Sequence, residues 1–423
     1  MLGKVVIELG WRELLLCGAA SLAGTGALAD TLPIGERGRL LDFEGSPTVS
    51  LRQIGINTEF SLTHFGQQQI NGSGSGRFEN SGVARALINI DGEKLGLWRG
   101  FFATVDYEHT YGTSPGGVLN GDGVILPINT AYTFPRLNGD NNALSINFTQ
   151  AFSENVLFSF GKFNAASLAS KTPILGGGGI EGFMNTALAA PVSGVVPPYF
   201  AGGILTVKTN PAVFTALVYD PRNADDSGVL KDLFSEGATF GLAATVPVRV
   251  GELPAFHSIK GYYSTQDGFD LNNLPQLQVP PSMRGPIGDA DNYWYLSYGY
   301  QQSLVSLGDG KSWGLFFEAG ISDGNPNPIQ GHVFAGLAGD SPFVGRRDDT
   351  WGIAAYRYNF SEPLKDAGVA VGFPIQDEKG LEVFYSFAVA DWARMTADLQ
   401  FIEPAQADRE TAIFAGLRLE VKF

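Results

Sequence analysis

Charged and amide side chains recur at alternate positions inside otherwise apolar stretches of this 423-residue chain. The final stretch, 411–423, shows the pattern clearly: Arg418 and Glu420 alternate with leucine and valine, and the chain ends on Phe423. Because successive side chains of a β-strand point to opposite faces, such a stretch predicts one apolar face and one charged face. The charged faces can donate and accept hydrogen bonds. They therefore predict recognition of polar or charged solutes by contact.

Mid-strand residues on these polar faces are the candidate recognition groups. They are Asp106, Glu108, Lys260, Glu318, Arg357, Arg394, Asp398, Gln400, Arg418 and Glu420. Arg357 and Glu318 lie near the middles of their strands and are the favoured candidates for the narrowest part of the space that the charged faces enclose. Glu420 lies close to the terminus. The alternative for many of these residues is a ladder of ion pairs that holds neighbouring strands together.

The elements that must position these side chains are about sixteen strand-like stretches between residues 53 and 423. Long connections rich in Gly, Pro and Asn mostly alternate with short ones, as they do in membrane barrels. A lipid-facing Arg or Lys costs about 2–4 kcal/mol at bilayer depth, so the charged faces should surround a wet lumen. The sequence therefore predicts an all-β fold, a transmembrane antiparallel β-barrel. A large secreted all-β protein is the alternative.

The N-terminus has the pattern of an export signal. Lys4 and Arg12 precede an apolar run, and Ala27-Leu28-Ala29 is a small-residue cleavage site. This pattern predicts a signal peptide at 1–29, a periplasmic or lumenal arm at 30–47 and a barrel domain at 48–423. The single cysteine, Cys17, lies within the signal, so the mature chain would have no disulfide and no cysteine-based metal site.

Composition narrows the remaining function classes. The net charge of −15 argues against nucleic-acid binding and, in a pore, favours cations or neutral solutes over anions. The four histidines show no metal-ligand spacing. The run Gly176–Gly179 lacks the Lys-Ser/Thr of a phosphate-binding loop. We therefore expect no metal and no cofactor.

Several short segments occur in a family-specific order. They are Asp91–Trp98 followed by Gly100, Gly161-Lys162, Gly345–Asp349 followed by Trp351–Ala354, Glu382–Phe387, Asp391-Trp392, Asp398–Ile402, Pro404, and Gly416–Leu419 before Phe423. Together they resemble the carbohydrate-selective porins, the OprB family, over about Thr48 to Phe423. One departure is Thr396-Ala397, where the family pattern has Pro just before the Asp-Leu-Gln.

The resemblance implies a barrel in the outer membrane of a Gram-negative bacterium, with short periplasmic turns, long external loops and a third loop folded inward. By count that loop is Ala165 to Gly202. Within it Phe183, Asn185 and Tyr199 would contact a sugar, and Glu181 would supply an acceptor. The alternative is that these residues pack the loop against the wall.

The implied function is passive, carbohydrate-preferring diffusion, and mixed charges at a constriction suit a neutral polyhydroxylated solute. A general or cation-preferring porin is the alternative. A barrel enzyme fits less well because no histidine has an obvious catalytic partner, and a sealed structural barrel is a further alternative. The expected partners are sugars, outer-membrane lipid and, through the strand ending in Phe423, the barrel-assembly machinery. The sequence leaves monomer and homotrimer open.

Overall fold

The computed structural model describes residues 34, 37–74, 76–117, 120–130, 141–169, 182–189, 192–225 and 229–423. The predicted signal peptide and Glu181 lie outside these residues. Among the residues described, no helix is both long enough and apolar enough to cross a membrane.

Sixteen antiparallel strands close into one barrel, which confirms the predicted fold class. The strands are β1 (Ile56–Asn71), β2 (Phe78–Asp91), β3 (Phe101–Gly112), β4 (Asn142–Ala151), β5 (Val156–Asn164), β6 (Tyr199–Lys208), β7 (Val213–Tyr219), β8 (Thr239–Val250), β9 (Leu253–Ser264), β12 (Tyr293–Gly308), β13 (Lys311–Ser322), β14 (Ile329–Asp340), β15 (Thr350–Phe360), β16 (Glu378–Ala390), β17 (Ala393–Glu403) and β18 (Ala412–Lys422). Two further short strands, β10 (Gly268–Phe269) and β11 (Asp289–Ala290), form a separate ribbon. The barrel closes where β18 pairs with β1, for example at Phe65 and Arg418.

The barrel has an apolar outside and a charged inside. In β18, Leu417 and Leu419 point outward and are 56% and 45% exposed, whereas Arg418 and Glu420 point inward and are 2% and 4% exposed. A soluble protein would place its leucines inside and its charged residues outside. This inverted arrangement is the one that a lipid-facing barrel requires.

The two ends of the barrel differ in the length of their connections. At the loop end the connections are 72–77, 113–141, 165–198, 220–238, 265–292, 323–328, 361–377 and 404–411. At the turn end they are 92–100, 152–155, 209–212, 251–252, 309–310, 341–349 and 391–392. The long-and-short rhythm of the sequence therefore corresponds to the two ends of one barrel, with intermediate lengths at 72–77, 92–100, 323–328, 341–349 and 404–411.

Four α-helices accompany the strands in the described part of the chain, together with 3-10 helices at Val229–Lys231, Leu271–Gln278 and Pro281–Met283. The four α-helices are α1 (Pro47–Gln53), α2 (Ala165–Ala169), α3 (Thr186–Ala189) and α4 (Glu362–Ala370). The α1 helix begins where the Ser46 hydroxyl accepts the Val49 amide and Pro47 occupies the first turn. It precedes β1, so the first strand begins at Ile56 and not at the predicted Gln53.

The N-terminal arm enters the mouth of the barrel at the turn end. Arg39 donates to the Asn57 amide oxygen at 3.0 Å and forms an ion pair with Glu59 at 3.0 Å. The Leu40 amide donates to the Lys422 carbonyl at 2.9 Å. The arm thus ties the first strand to the last one at this mouth.

All sixteen predicted strands are present, but their ends differ from the prediction. The largest shift is at the end of β1, which the alternation predicts at Phe65 and which lies at Asn71. The β9 strand begins at Leu253 and not at the predicted Ser258, because the β8–β9 hairpin continues through the Arg249–Pro254 pair. The predicted loop Ala165–Gly202 is also too long. Its last residues, Tyr199–Gly202, are part of β6 and pair with β5.

Two long loops, rather than the single predicted one, descend inside the barrel. They are the second loop (residues 113–141) and the third loop (residues 165–198). Residues of both loops, including Leu126, Phe183 and Leu188, form one apolar cluster with inward-facing side chains of β13 to β16. Residues 120–130 of the second loop and 182–189 of the third loop therefore pack against this side of the lumen.

Candidate functional site

The third loop is held against the barrel by a buried carboxylate. Glu382 points inward from β16 and accepts hydrogen bonds from the backbone amides of Met184 and Asn185. The Asn185 side chain then donates to the Tyr356 hydroxyl at 3.3 Å and to Gln400 at 3.1 Å. Glu382, Asn185 and Gln400 have no measurable exposure. Since backbone groups buried without partners are costly, these bonds fix the loop in position.

Arg418 supports the same loop from the last strand. Its guanidinium donates to the Gly182 carbonyl at 2.9 Å and to the Thr396 hydroxyl at 3.1 Å. Asp398, the next inward residue of β17 after Thr396, accepts from Gln400 at 2.9 Å. These polar groups lie beneath the loop and form hydrogen bonds with it and with one another.

An apolar contact completes the attachment of the third loop. The Phe183 ring packs edge-on to Phe384 with the ring centroids 4.9 Å apart, and its centroid lies 5.6 Å from that of Phe316. Farther along the loop, the Tyr358 hydroxyl accepts from the Val192 amide at 3.1 Å and donates to the Ala187 carbonyl at 3.2 Å. We call the inward faces of β15 to β18 and β1, with the loops that cover them, the anchored wall.

The second loop is attached beside the third one. Asn129 donates to Gln67 at 2.6 Å, and Gln400 donates to the Ile128 carbonyl at 2.9 Å. Asp122 is fully buried in this loop and accepts from the amides of Gly117 and Val124. Burial raises the pKa of Asp122 to about 6, although the two amide hydrogen bonds oppose that shift.

The anchored wall changes the interpretation of five predicted residues. Phe183, Asn185, Asp398, Gln400 and Arg418 were expected to line the pore, but each is at most 6% exposed. They attach a loop to the wall, which was the stated alternative for Phe183 and Asn185. The strand phase correctly directs Asp398, Gln400 and Arg418 inward. It could not show that a loop would cover them.

A different set of polar groups stands on β2 and β3. The Arg85 guanidinium binds both carboxylate oxygens of Asp106 at 2.8 Å and lies 3.7 Å from Glu108. Tyr199, at the start of β6, donates its hydroxyl to Glu108 at 2.8 Å. Arg85 also donates to the Ser167 hydroxyl of the third loop. We call Arg85, Asp106, Glu108 and Tyr199 the open wall.

The open wall is more exposed than the anchored wall. The side chains of Arg85 and Glu108 are 16% and 18% exposed. Next to Asp106 and Ser167 is a cavity of about 40 Å³ whose lining is mostly Ser, Thr and Asn side chains. A space of this size is sufficient for a water molecule. Arg85 and Glu108 are therefore the groups of the open wall that a solute or water can reach, whereas Asp106 and Tyr199 are 4% and 7% exposed and hold them in place.

A second ion pair stands across the lumen. The Lys260 ammonium and the Glu318 carboxylate are 3.2 Å apart, and their side chains are 32% and 12% exposed. Glu318 is on β13, eight places from β3 in the ring of sixteen strands, and therefore lies on the opposite side of the barrel. His332 lies 3.8 Å from Glu318 and stacks on Tyr358, which binds the third loop. Both clusters thus lie at the level of this loop.

Two predicted wall residues lie elsewhere. Arg357 points to the outside of the barrel, because Tyr356 and Tyr358 on either side of it bind the third loop inside. It pairs with Asp377 at 2.6 Å near the loop end, and half of its side chain is exposed. The prediction of a lumenal Arg357 is therefore wrong. Arg394 points inward but lies at the turn end, where it donates to the Asp348 carbonyl at 2.6 Å.

Sequence reasoning missed Arg85 and Glu382. Both are charged residues within apolar runs, Ala84-Arg85-Ala86 and Leu381-Glu382-Val383, and that signal was sufficient to assign them inward. The error at Arg357 has a different cause. Both faces of β15 contain aromatic or small residues, so periodicity gave no reliable choice between them.

The chain was compared with protein families, curated proteins and solved structures. A family model described as "Carbohydrate-selective porin, OprB family" matches residues 76–423. No curated protein sequence matches the chain. The high-pH structure of Pseudomonas putida OprB is similar to it with a TM-score of 0.74 and 16% identity, over 88% of this chain and 96% of that one. The low-pH structure of the same protein gives a TM-score of 0.51 and 14% identity, over 88% and 94%.

A closed barrel with an apolar outside, a charged lumen and inward loops defines an outer-membrane porin. The match over most of the chain makes the assignment specific. The protein belongs to the carbohydrate-selective porin, OprB family. It is a channel of the Gram-negative outer membrane, with the loop end external and the turn end periplasmic.

Proposed function

We propose that the protein passes small neutral sugars by passive diffusion, and that the open wall and the Lys260–Glu318 pair select them. The observation that carries this proposal is the pairing of opposite charges on both sides of the lumen. Each side offers a cationic donor and a carboxylate acceptor within one contact distance. A polyhydroxylated solute uses both kinds of group, whereas a single ion is attracted by one and repelled by the other.

Glu108 and Arg85 are the groups on the open wall that are best suited to a sugar, because both side chains remain partly exposed. Tyr199 positions Glu108: its hydroxyl donates to the carboxylate at 2.8 Å, while its ring is only 7% exposed and lies 5.5 Å from the Lys162 ammonium. The wall thus offers charged groups that bind hydroxyls, held in place by a buried tyrosine.

Block of single-channel current by sugars tests this proposal. In planar bilayers, a monosaccharide that enters the site should reduce the current, and Tyr199→Phe should weaken that block about three- to tenfold, as expected for loss of one hydrogen bond. Tyr107→Phe is the matched control, because Tyr107 points outward and donates to Asn142. Equal block of both variants and the unmodified protein, or equal passage of amino acids and sugars of one size, would contradict sugar selection.

The alternative of cation preference rests on the charges of the same groups. Asp106, Glu108 and Glu318 outnumber Arg85 and Lys260 by one. A reversal potential measured across a salt gradient distinguishes the two functions. Strong cation preference without any sugar block would favour the alternative.

The last strand supports a further part of the proposal, recognition by the barrel-assembly machinery. The β18 strand closes the barrel on β1, and the Phe423 amide donates to the Phe60 carbonyl at 2.7 Å. Deletion of Phe423 should therefore lower the amount of heat-modifiable barrel in the outer membrane, whereas deletion of the same residue should not prevent refolding in detergent. Unchanged assembly in cells would contradict this role. Monomer and homotrimer both remain compatible with sugar passage.

A further inference from the structure

An apolar groove opens on the outer surface of the barrel near the periplasmic end. It has a volume of about 540 Å³, and its lining includes Phe343, Trp351, Val383, Tyr385, Ala397 and Leu399. The four residues Val383, Tyr385, Ala397 and Leu399 are neighbours across β16 and β17, where the pairs are Val383 with Leu399 and Tyr385 with Ala397. All four point away from the lumen. The groove is therefore separate from the pore.

The groove exists because a small residue stands between large ones. Ala397 carries only a methyl group, while its cross-strand neighbours, Tyr385 on β16 and Leu417 on β18, project from the surface on either side. The exposed Phe343 ring, on the turn 341–349, closes the periplasmic end of the groove. An elongated apolar group fits this groove better than a ligand with a flat surface does.

Cationic side chains stand beside the periplasmic end of the groove. Arg346 binds Asp349 through two contacts of 2.7 and 2.8 Å, yet 47% of its side chain is exposed. Its guanidinium lies 5.8 Å from the ring centroid of Phe387, which faces lipid. Arg347 follows directly, and Lys311 donates to the Arg347 carbonyl at 2.9 Å.

The acidic residues of this turn are already engaged. Asp349 is 1% exposed and accepts from Arg346, from the Tyr385 hydroxyl and from the Ala388 amide. Asp348 forms an ion pair with Lys311. Arg346 and Lys311 are therefore each paired with a carboxylate, whereas Arg347 donates to the Ser341 carbonyl and has no ion pair among the described residues, which leaves its charge for an anion at the level where lipid headgroups lie.

We propose that the groove binds one anionic glycerophospholipid of the periplasmic leaflet, with an acyl chain against Ala397 and the phosphodiester beside Arg346 and Arg347. The groove lies at the depth of an acyl chain, and the arginines lie at its periplasmic end, where the phosphate of such a lipid is located. Arginine binds phosphate oxygens through paired N–H groups. Basic residues close to a membrane surface also favour anionic lipids. This site goes beyond the channel function and does not depend on it.

Native mass spectrometry of the folded barrel in detergent tests the proposal. The probe is dioleoyl phosphatidylglycerol, and dioleoyl phosphatidylcholine and lipid A are the comparison lipids. One phosphatidylglycerol should remain bound at concentrations where the other two are lost. Ala397→Phe should weaken its retention at least tenfold because the ring fills the groove. Arg347→Gln should reduce the preference for phosphatidylglycerol over phosphatidylcholine at least threefold.

Ala335→Phe is the matched control for the groove. Ala335 also points outward from the barrel and is exposed, but it does not line the groove. It should leave lipid retention unchanged. Equal retention of the three lipids, or equal loss in both phenylalanine variants, would overturn the proposal. Barrel oligomers that only Ala397→Phe dissociates would instead identify a second copy of this chain as the occupant, and would also overturn it.

Discussion

The anchored wall and the open wall are built from the same kinds of residue, but their charged groups differ in binding partners and in exposure. Both contain inward-facing Arg, Asp and Glu on adjacent strands of one barrel. On the anchored wall, Arg418 and Glu382 bind the backbone of the third loop and are closed off from solvent. On the open wall, Arg85 binds Asp106, and Glu108 accepts from the Tyr199 hydroxyl. Arg85 and Glu108 remain partly exposed.

The difference shows that an inward direction alone does not make a residue part of the pore surface. A charged group inside a barrel must be satisfied by water, by another charge or by a loop. Where a loop satisfies it, the group shapes the pore indirectly by holding that loop. Where water and other charges satisfy it, the group meets the solute. The two walls therefore predict different responses to substitution.

The largest effect is expected from removing the main attachment of the third loop. Glu382→Ala leaves the buried amides of Met184 and Asn185 without their acceptor, so the free energy of unfolding should fall by about 2–5 kcal/mol. The loosened loop should also enlarge the pore. Urea unfolding in detergent micelles measures the first effect, and single-channel conductance with oligosaccharides of increasing size measures the second.

Glu403→Ala is the control for this prediction. Glu403 is an exposed carboxylate at the external end of β17, where it pairs with Lys379 at 3.0 Å. Its loss should cost at most about 1 kcal/mol and leave conductance unchanged. If Glu382→Ala lowered stability but left the size limit unchanged, the third loop would not control the pore.

A smaller effect is expected from Asp122, which is buried within the second loop. Its pKa of about 6 in the folded protein exceeds the value near 3.9 of an unfolded aspartate. The contribution of Asp122 to the free energy of unfolding is therefore greatest below about pH 4. It falls as the pH rises through 6, by on the order of 2 kcal/mol. Asp122→Asn should remove that part of the pH dependence.

Urea unfolding of both proteins between pH 4 and pH 8 checks this second prediction. Parallel curves over the whole range would show that Asp122 does not couple the second loop to pH.

The smallest effect on stability, but a direct one on selectivity, is expected at the open wall. Arg85→Gln leaves Asp106 and Glu108 without their cation, so the ratio of cation to anion permeability should rise about fivefold, which corresponds to roughly 1 kcal/mol. Reversal potentials across a salt gradient measure this ratio. Arg357→Gln is the matched control, because Arg357 is outside the barrel and pairs with Asp377. A similar shift in both variants would remove the distinction between the walls.

Particular residues show how far sequence reasoning can reach. The alternation of Leu417, Leu419 and Val421 with Arg418 and Glu420 predicted the membrane barrel, because period-two patterning depends only on local backbone geometry. The same reasoning directed Asp106, Glu108, Lys260 and Glu318 inward, and the structure places them there. It failed at Arg357, where both faces of the strand are apolar or aromatic.

Other features depend on contacts between residues far apart in the chain. Gln400 binds Ile128 and Asn185, and Arg418 binds Gly182, so neither role can be read from the neighbours of these residues. The inward descent of the second loop was missed for the same reason. Its attachments, such as Asn129 to Gln67, join segments that are 62 residues apart.

The sequence by itself determined the barrel, the direction of most charged side chains and the family, since these follow from strand periodicity and from short ordered motifs. Only the tertiary structure decided which inward charges remain accessible from the lumen and which hold a loop. That decision depends on where the second and third loops lie in the lumen. Their position is set by long-range hydrogen bonds and ring contacts, which leave no periodic signal in the chain.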